Sequence, residues 1–181
     1  KPRIKDFKLV IQNELNNKKI EKAEKVEKIK RLKDRPARVE LSFAQQRLWF
    51  IDKLLPEAVI YNMPIALELK GDLNKEALRR SFESIVKRHD ILRTIFKENE
   101  AGEAYQEIKE ELEIYEEIDL RLRDDKEFIL EEYKEREASW KFKLDEGPLC
   151  RVKLLIMGEG YNVLLITMHH IISDGWSLNI L

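Results

Sequence analysis

The stretch that decides the fold is residues 150–177, "CRVKLLIMGEGYNVLLITMHHIISDGWS". Apolar residues occupy every second position from Cys150 to Ile156, and Gly158-Glu159-Gly160 follows, a pattern typical of a strand that enters a hairpin turn. Residues 161–168 are then apolar at almost every position. Because a strand that is apolar on both faces is buried on both, residues 161–168 are predicted to lie in the middle of a sheet.

Upstream of this hairpin, helical and extended patterns alternate. Three helices are predicted: one capped by Ser42 and ended by Pro56, one capped by Asn74, and a charged one over residues 125–140 with Phe128, Ile129, Tyr133 and Trp140 inward. Further strands are expected over residues 61–69 and 91–96, with two short ones within residues 103–120, and another helix near Ser177. The class is therefore α/β or α+β, with hairpin-linked and crossover-linked strands in one sheet.

Composition limits the kind of protein. The chain has 181 residues, 43% of them hydrophobic, which suffices for one domain with a real core. Charged residues reach 38%, but the formal net charge is only −1, so total charge indicates no partner. The single cysteine, Cys150, has no second cysteine for an internal disulfide, and no apolar stretch reaches the ~18 residues of a membrane span. A reducing, cytoplasmic setting without membrane association is expected.

The first 36 residues differ from the rest. Residues 1–35 contain thirteen Lys and Arg against six Asp and Glu, a net charge of +7. Their composition predicts helices rich in Lys and Glu, ended by Pro36, because a proline disfavours helical geometry at the residue before it. We therefore place a basic helical segment at 1–36 and a folded domain at 37–181.

Two adjacent histidines end the central strand, and an Asp-Gly turn follows them. Successive side chains of a strand point to opposite faces, so His169 and His170 cannot share one task. Alternation alone does not say which of them is buried. A structural histidine and an Asp-Gly turn without further function are the simplest interpretations, and a general base on a substrate nucleophile is the main functional one.

Two other kinds of site fit poorly. A metal centre would need His169, His170 and Asp174 on one side, and the sequence offers only His89 beyond them. A hydrolase with Ser173 or Ser177 as nucleophile would be expected to carry a G-x-S-x-G turn, and the sequence has none.

The chain resembles the condensation domains of nonribosomal peptide synthetases, relatives of chloramphenicol acetyltransferase. The stretch "MHHIISDGWS" is similar to their HHxxxDG motif, and "LSFAQQRLWFIDKL" is similar to their opening motif, S-x-A-Q-x-R-L-W-x-L. "RHDILRTIF" resembles R-H-E-x-L-R-T-x-F, with Asp90 in place of the usual Glu. Three motifs in the right order, spread over residues 41–177, make the resemblance specific.

The resemblance implies a fold and a reaction. The fold is the N-terminal lobe of a chloramphenicol acetyltransferase-like α/β sandwich, with a mixed sheet flanked by helices. The reaction is amide formation, in which the α-amine of an acceptor aminoacyl group attacks a donor thioester. Both substrates are carried on 4′-phosphopantetheine arms of donor and acceptor carrier proteins, and the domain itself binds no cofactor or metal.

The resemblance also assigns roles to individual residues. His170 is the catalytic histidine, and His169 supports it. Asp174 is a scaffold residue that forms a salt bridge with Arg88 or Arg93, and Gly175 lets the turn approach the substrate channel. Arg47 and Trp176 are expected to be packing and network residues.

The resemblance alone leaves open which subtype of the family the chain belongs to and whether it is catalytic. The opening motif resembles that of the subtype accepting donors that end in an L-residue, whereas epimerization domains share HHxxxDG but generally differ there. A carrier-protein or subunit docking module without catalysis is a second alternative. The matched motifs cover only the N-terminal lobe, and the family's channel lies between two lobes, so we expect this piece alone to be inactive and to expose apolar surface.

The basic segment 1–36 has three interpretations. It is a linker from a preceding carrier domain, a docking element for the acidic C-terminal tail of an upstream synthetase subunit, or a nucleic-acid-binding arm. A single aromatic residue, Phe7, lies among its basic positions, which disfavours nucleic acid as a partner.

Overall fold

The computed structural model describes residues 38–179. The predicted segment 1–36 lies outside the described residues. The strands are β1 (Val39–Glu40), β2 (Asn62–Lys70), β3 (Thr94–Glu98), β4 (Ala104–Ile108), β5 (Tyr115–Asp119), β6 (Cys150–Gly158) and β7 (Tyr161–His169). The α-helices are α1 (Phe43–Leu54), α2 (Lys75–Arg88) and α3 (Lys126–Ala138), and 3-10 turns cover Asp90–Arg93 and Ser177–Asn179.

A four-stranded sheet in the order β2-β7-β6-β5 forms the centre of the lobe. Its pairs are antiparallel except β5 with β6, which are parallel, so the sheet is mixed as expected. The prediction that residues 161–168 form an interior strand is confirmed, because β7 pairs with β2 on one side and β6 on the other. The last residue of β7 is His169, which places the histidine pair at the end of an interior strand.

Helices cover both faces of this sheet. On one face, Val152, Leu154, Leu164 and Met168 are buried with residues of α2 in the larger core. On the other face, Leu155, Met157, Val163 and Leu165 pack with Leu130 of α3 in a smaller core. The sandwich of helices around a mixed sheet agrees with the expected α+β class.

Strand pairing corrects two predictions. The strands do not form one sheet, because β1, β4 and β3 pair separately in that order. The strand expected over residues 91–96 begins only at Thr94, since the chain first makes a 3-10 turn over Asp90–Arg93, in which the Thr94 hydroxyl donates to the Asp90 carbonyl at 2.8 Å.

Side-chain burial corrects a third prediction. The phenyl ring of Phe128 is 66% exposed, although the sequence pattern places it inward on α3. Leu130 fills that role and is 3% exposed, because it lies on the helix face turned towards the sheet. Ile129 and Tyr133 pack partly against the same smaller core.

Within the described residues, no helix has the length and apolarity needed to cross a lipid bilayer.

Candidate functional site

The two histidines have opposite surroundings. His169 is 5% exposed, whereas His170, the next residue, is exposed. Their backbones are fixed from two sides, since the His169 amide donates to the Leu149 carbonyl at 2.9 Å and the His170 amide donates to the Tyr61 carbonyl at 2.8 Å. The expectation that the two adjacent side chains point to opposite sides agrees with this geometry.

The His169 imidazole is held neutral. Its Nδ1 accepts the backbone N–H of Ile171 at 3.1 Å, and its ring lies 6.0 Å from that of Phe142 in an edge-on arrangement. Burial, with a smaller contribution from the nearby His170, lowers the pKa of His169 to about 4. Because Nδ1 must remain unprotonated to accept a hydrogen bond, His169 stabilises the turn that follows the strand.

The His170 side chain lines a cleft of about 590 Å³. Helix α1 and its cap contribute residues 42, 44, 45, 47, 48 and 51 to the lining, and Tyr61, residues 171–174 and Ser177 contribute the rest. Within residues 38–179, the His170 imidazole makes no hydrogen bond with another side chain. An exposed imidazole in a cleft is free to exchange a proton with a bound substrate.

Helix α1 is tied directly to the histidine loop. Ser42 and Gln45 form a capping box at its start, with the Gln45 Oε1 accepting the Ser42 N–H at 2.9 Å. The other end of the same amide, Nε2, lies 3.3 Å from the Ile171 carbonyl and donates to it. The Gln45 side chain therefore caps the helix and also ties its first turn to the histidine loop.

Asp174 has a local partner instead of the predicted arginine. Its Oδ1 accepts the Ser177 N–H at 2.7 Å, and this bond holds the pKa of the Asp174 carboxyl below its usual value. Arg93 forms an ion pair with Asp90 and donates to the Lys109 carbonyl, in a separate cavity of about 550 Å³. Among the described residues, neither Arg88 nor Arg93 pairs with Asp174, so the expected salt bridge is absent there.

Two further expectations meet a different geometry. Trp176, expected to pack, is 83% exposed. A Cβ added at Gly175 would have no heavy atom of the described residues within 4 Å. The described part of the lobe therefore gives no steric reason for glycine at that position. Arg47 lies on the cleft wall, and Arg88 is exposed at the end of α2.

The described residues do not form the arrangement that a metal site or a serine hydrolase requires. In the described part of the chain, no group of three or more His, Cys, Asp or Glu side chains is arranged to hold a metal ion. Ser177 bonds Asp174 and lies 3.3 Å from the Ser173 hydroxyl, and neither serine, within residues 38–179, bonds a histidine. The cleft therefore presents His170 as its one exposed imidazole among these residues.

A known protein family matches this chain. The family model described as "Condensation domain" matches residues 37–181. The chain belongs to the condensation-domain family. The match begins one residue after Pro36 and includes the cleft and both histidines.

Large peptide synthetases contain regions that are similar in sequence to this chain. Malpinin synthetase of Mortierella alpina is 42% identical over 143 residues, which cover 78% of this chain and 2% of that protein. The dimodular nonribosomal peptide synthase of Bacillus subtilis (strain 168) is 37% identical over 145 residues, covering 80% of this chain and 6% of that protein. This chain thus spans a small fraction of the curated relatives it matches.

Solved condensation domains share the fold. The first condensation domain of the calcium-dependent antibiotic synthetase, in complex with a substrate analogue, is 26% identical with a TM-score of 0.69, covering 79% of this chain and 35% of that chain. The starter condensation domain of the rhizomide synthetase RzmA, 21% identical with a TM-score of 0.72 over 80% of this chain and 36% of that one, shows likeness of fold alone. The chain corresponds to the N-terminal portion of a condensation domain.

Sequence reasoning overlooked two contributors to the cleft. Gln45 lies inside the quoted opening motif. A Gln three residues after a capping Ser indicates its helix-capping role, but not its bond to the histidine loop. Tyr61 contributes its carbonyl to His170 across strands that are more than 100 residues apart in sequence, and no local pattern could have shown that pairing.

Proposed function

We propose that this chain supplies the catalytic histidine of an amide-forming condensation domain in a nonribosomal peptide synthetase. The observation that carries the proposal is the exposed imidazole of His170, which projects into the cleft from a backbone fixed by the Tyr61 carbonyl. The backbone hydrogen bond sets where the side chain starts, and the unbonded imidazole nitrogens are available to accept a proton from a bound amine.

The reaction needs one proton removed and one returned. The α-amine of the acceptor aminoacyl thioester attacks the donor thioester carbonyl, a C–N bond forms, and the C–S bond breaks to release the carrier's thiolate. His170 accepts a proton from the attacking amine, and that proton is available to the departing sulfur. A positioned base of this kind typically contributes about 10²–10⁴ in rate. The phosphopantetheine arms belong to the carrier proteins. The lobe's own residues therefore need only position the acceptor amine and remove its proton.

Among residues 38–179, the cleft is lined by α1, by Tyr61 and by the histidine loop. In the complete domain we assign the remaining wall of the substrate channel to the C-terminal lobe. We expect the 181-residue chain alone to form no peptide bond, although it contains His170. The setting we propose for the complete synthetase is the cytoplasm.

The test is a condensation assay on a full domain that contains this lobe, with donor and acceptor carrier proteins loaded. His170→Ala should lower the rate of dipeptide formation by about 10²–10⁴ while the melting temperature stays unchanged, because the lost imidazole is exposed and makes no hydrogen bond. His89→Ala is the matched control, since His89 does not line the cleft. Full dipeptide formation by the His170→Ala domain would overturn the proposal.

The same assay separates the alternatives. An epimerization domain would invert the Cα of the carrier-bound residue and release no dipeptide, and a docking module would bind carriers with no product at all. The opening motif further supports an L-configured donor residue, so L-donors should react faster than their D-epimers. For the segment 1–36 we retain linker or docking element as the proposal, tested by salt-sensitive binding to an acidic subunit tail but not to DNA.

A further inference from the structure

We propose that Asn62 is a positioning residue for His170, acting through a side-chain clamp that anchors the start of β2. The inference rests on the proposed function of His170. No motif of the sequence pointed to Asn62, and its role follows from hydrogen bonds between three separate parts of the chain.

The residue before β2 is bonded to the backbone of His170, whereas the backbone N–H of His169 donates to Leu149 on the other side. Asn62 is paired with His169 in the register of β2 and β7, and the preceding residue, Tyr61, accepts the His170 amide at 2.8 Å. Any movement at the start of β2 is therefore passed to the residue that lines the cleft. Errors of about 1 Å in the placement of a catalytic group can cost about 10²-fold in rate.

The start of β2 needs an anchor because of its place in the sheet. Among the strands of residues 38–179, β2 is an edge strand that pairs with β7 alone. The ends of such strands open more readily than interior strands, since fewer hydrogen bonds hold them.

The Asn62 side chain supplies that anchor with two hydrogen bonds. Its Nδ2 donates to the carbonyl of Ala138 at 2.9 Å and to the carbonyl of Trp140 at 2.7 Å. Ala138 is the last residue of α3, where backbone carbonyls have no partner within the helix. A primary amide has the two donor hydrogens that this pair of carbonyls requires, and a carboxylate has none.

The acceptors of the clamp are themselves fixed to the sheet. The guanidinium carbon of Arg151, on β6, lies 3.6 Å from the centroid of the Trp140 ring. Arg151 also forms a two-point ion pair with the buried Glu137 of α3, at 2.8 and 3.0 Å. Asn62 thus ties an edge strand to a helix end that is locked onto the centre of the fold.

The experiment uses the full condensation domain with loaded carrier proteins. Asn62→Asp keeps the shape of the side chain but loses both donor hydrogens, and it should lower kcat about 10-fold with KM nearly unchanged. Asn62→Gln keeps the amide on a longer side chain and should retain more activity than Asn62→Asp. Asn99→Ala is the control, because it removes a comparable set of Asn hydrogen bonds at the β3–β4 turn, outside the cleft.

A double-mutant comparison decides whether Asn62 acts through His170. In a His170→Ala background, Asn62→Asp should cause no further loss, since the group it positions is gone. The positioning role would be overturned if the double variant lost the product of the two single losses in rate. It would also be overturned if the Asn62→Asp domain had full kcat. If His170→Ala is fully active, the proposed function itself fails, and that outcome is distinct. The rank order of the Asp and Gln variants is read only for domains whose circular dichroism is native.

Discussion

At the scale of single residues, one imidazole stabilises a turn and its neighbour is the one that we propose for catalysis. His169 is buried, accepts the Ile171 amide and is neutral at physiological pH, because its pKa is lowered to about 4. His170 is exposed in the cleft. The division arises because successive side chains of an extended chain point to opposite sides, so that one lies in the packed layer and the other at the cleft wall.

The buried imidazole predicts acid sensitivity of folding. An unfolded histidine binds a proton below pH ~6.5, whereas folded His169 does so only near pH 4, so the unfolded state binds more protons between these values. The stabilising contribution is complete above the unfolded pKa and is lost as pH falls through that window, at a cost of about 3 kcal/mol. Urea unfolding of the chain at pH 4.5 to 7.5 measures it.

The matched variant is His169→Asn, whose side-chain oxygen accepts a hydrogen bond at any of these pH values. Its unfolding free energy should change with pH less steeply than that of the wild type over the same range. Equal pH slopes for the two proteins would show that another group causes the acid sensitivity.

At the scale of elements, α1 links the cap of a helix to the geometry of the site. Ser42 and Gln45 cap the helix, and the Gln45 amide also bonds the Ile171 carbonyl in the histidine loop. Helix α2 has a cap of the same kind at Asn74, whose side chain accepts the Ala77 N–H at 2.9 Å, but it does not line the cleft.

Two cap substitutions should therefore have equal effects on stability and different effects on activity. Ser42→Ala and Asn74→Ala should each destabilise the fold by about 1 kcal/mol, as measured by denaturant unfolding. Only Ser42→Ala should also lower the rate of peptide formation in a full domain, because the loosened first turn of α1 carries Gln45. Equal activity of the two variants would disconnect the cap from the site.

Elements also show how far sequence carries the fold. Alternation and caps predicted β2, β6, β7, α1 and α2, because these signals depend on neighbouring residues. The division into two sheets was missed, since it depends on which strands meet across long separations in sequence. The inward orientation of Phe128 was wrong because both Phe128 and Leu130 are apolar, and only the position of the sheet decides between them.

The site shows the same limit. The motif placed His169, His170 and Asp174 next to one another, but the partners of Asp174 depend on how its loop closes. The loop closes on Ser177, and Arg93 is taken by Asp90. Tyr61 and Asn62 could be recognised only from the structure, because their bonds join β2 to the end of β7 and to the end of α3.

At the scale of the whole molecule, an apolar surface lies open beside the cleft. Phe43, Phe50 and Leu54 follow the helical spacing of one face of α1 and are 91%, 57% and 61% exposed. Arg47 lies on the same face and reaches the cleft wall. Exposed apolar faces of this kind mark surfaces that another protein surface covers, and we assign this one to the C-terminal lobe.

Without that lobe, the chain should self-associate through α1. Sedimentation velocity should show mass increasing with protein concentration, and Phe50→Glu should shift the chain towards monomer. Leu122→Glu is the control, because Leu122 is 99% exposed but lies in the loop before α3. Equal shifts from both variants would indicate nonspecific aggregation and not association through α1.

The central claim is that the two adjacent histidines have separate tasks, and one measurement tests it directly. The single-turnover rate of dipeptide formation is compared at pH 7.5 for His170→Asn and His169→Asn in the same full condensation domain. We predict a loss of at least about 100-fold for His170→Asn and a loss of only a few-fold for His169→Asn, whose side chain retains an acceptor for the Ile171 amide. Equal losses in the two variants, or a larger loss for His169→Asn, would contradict the account.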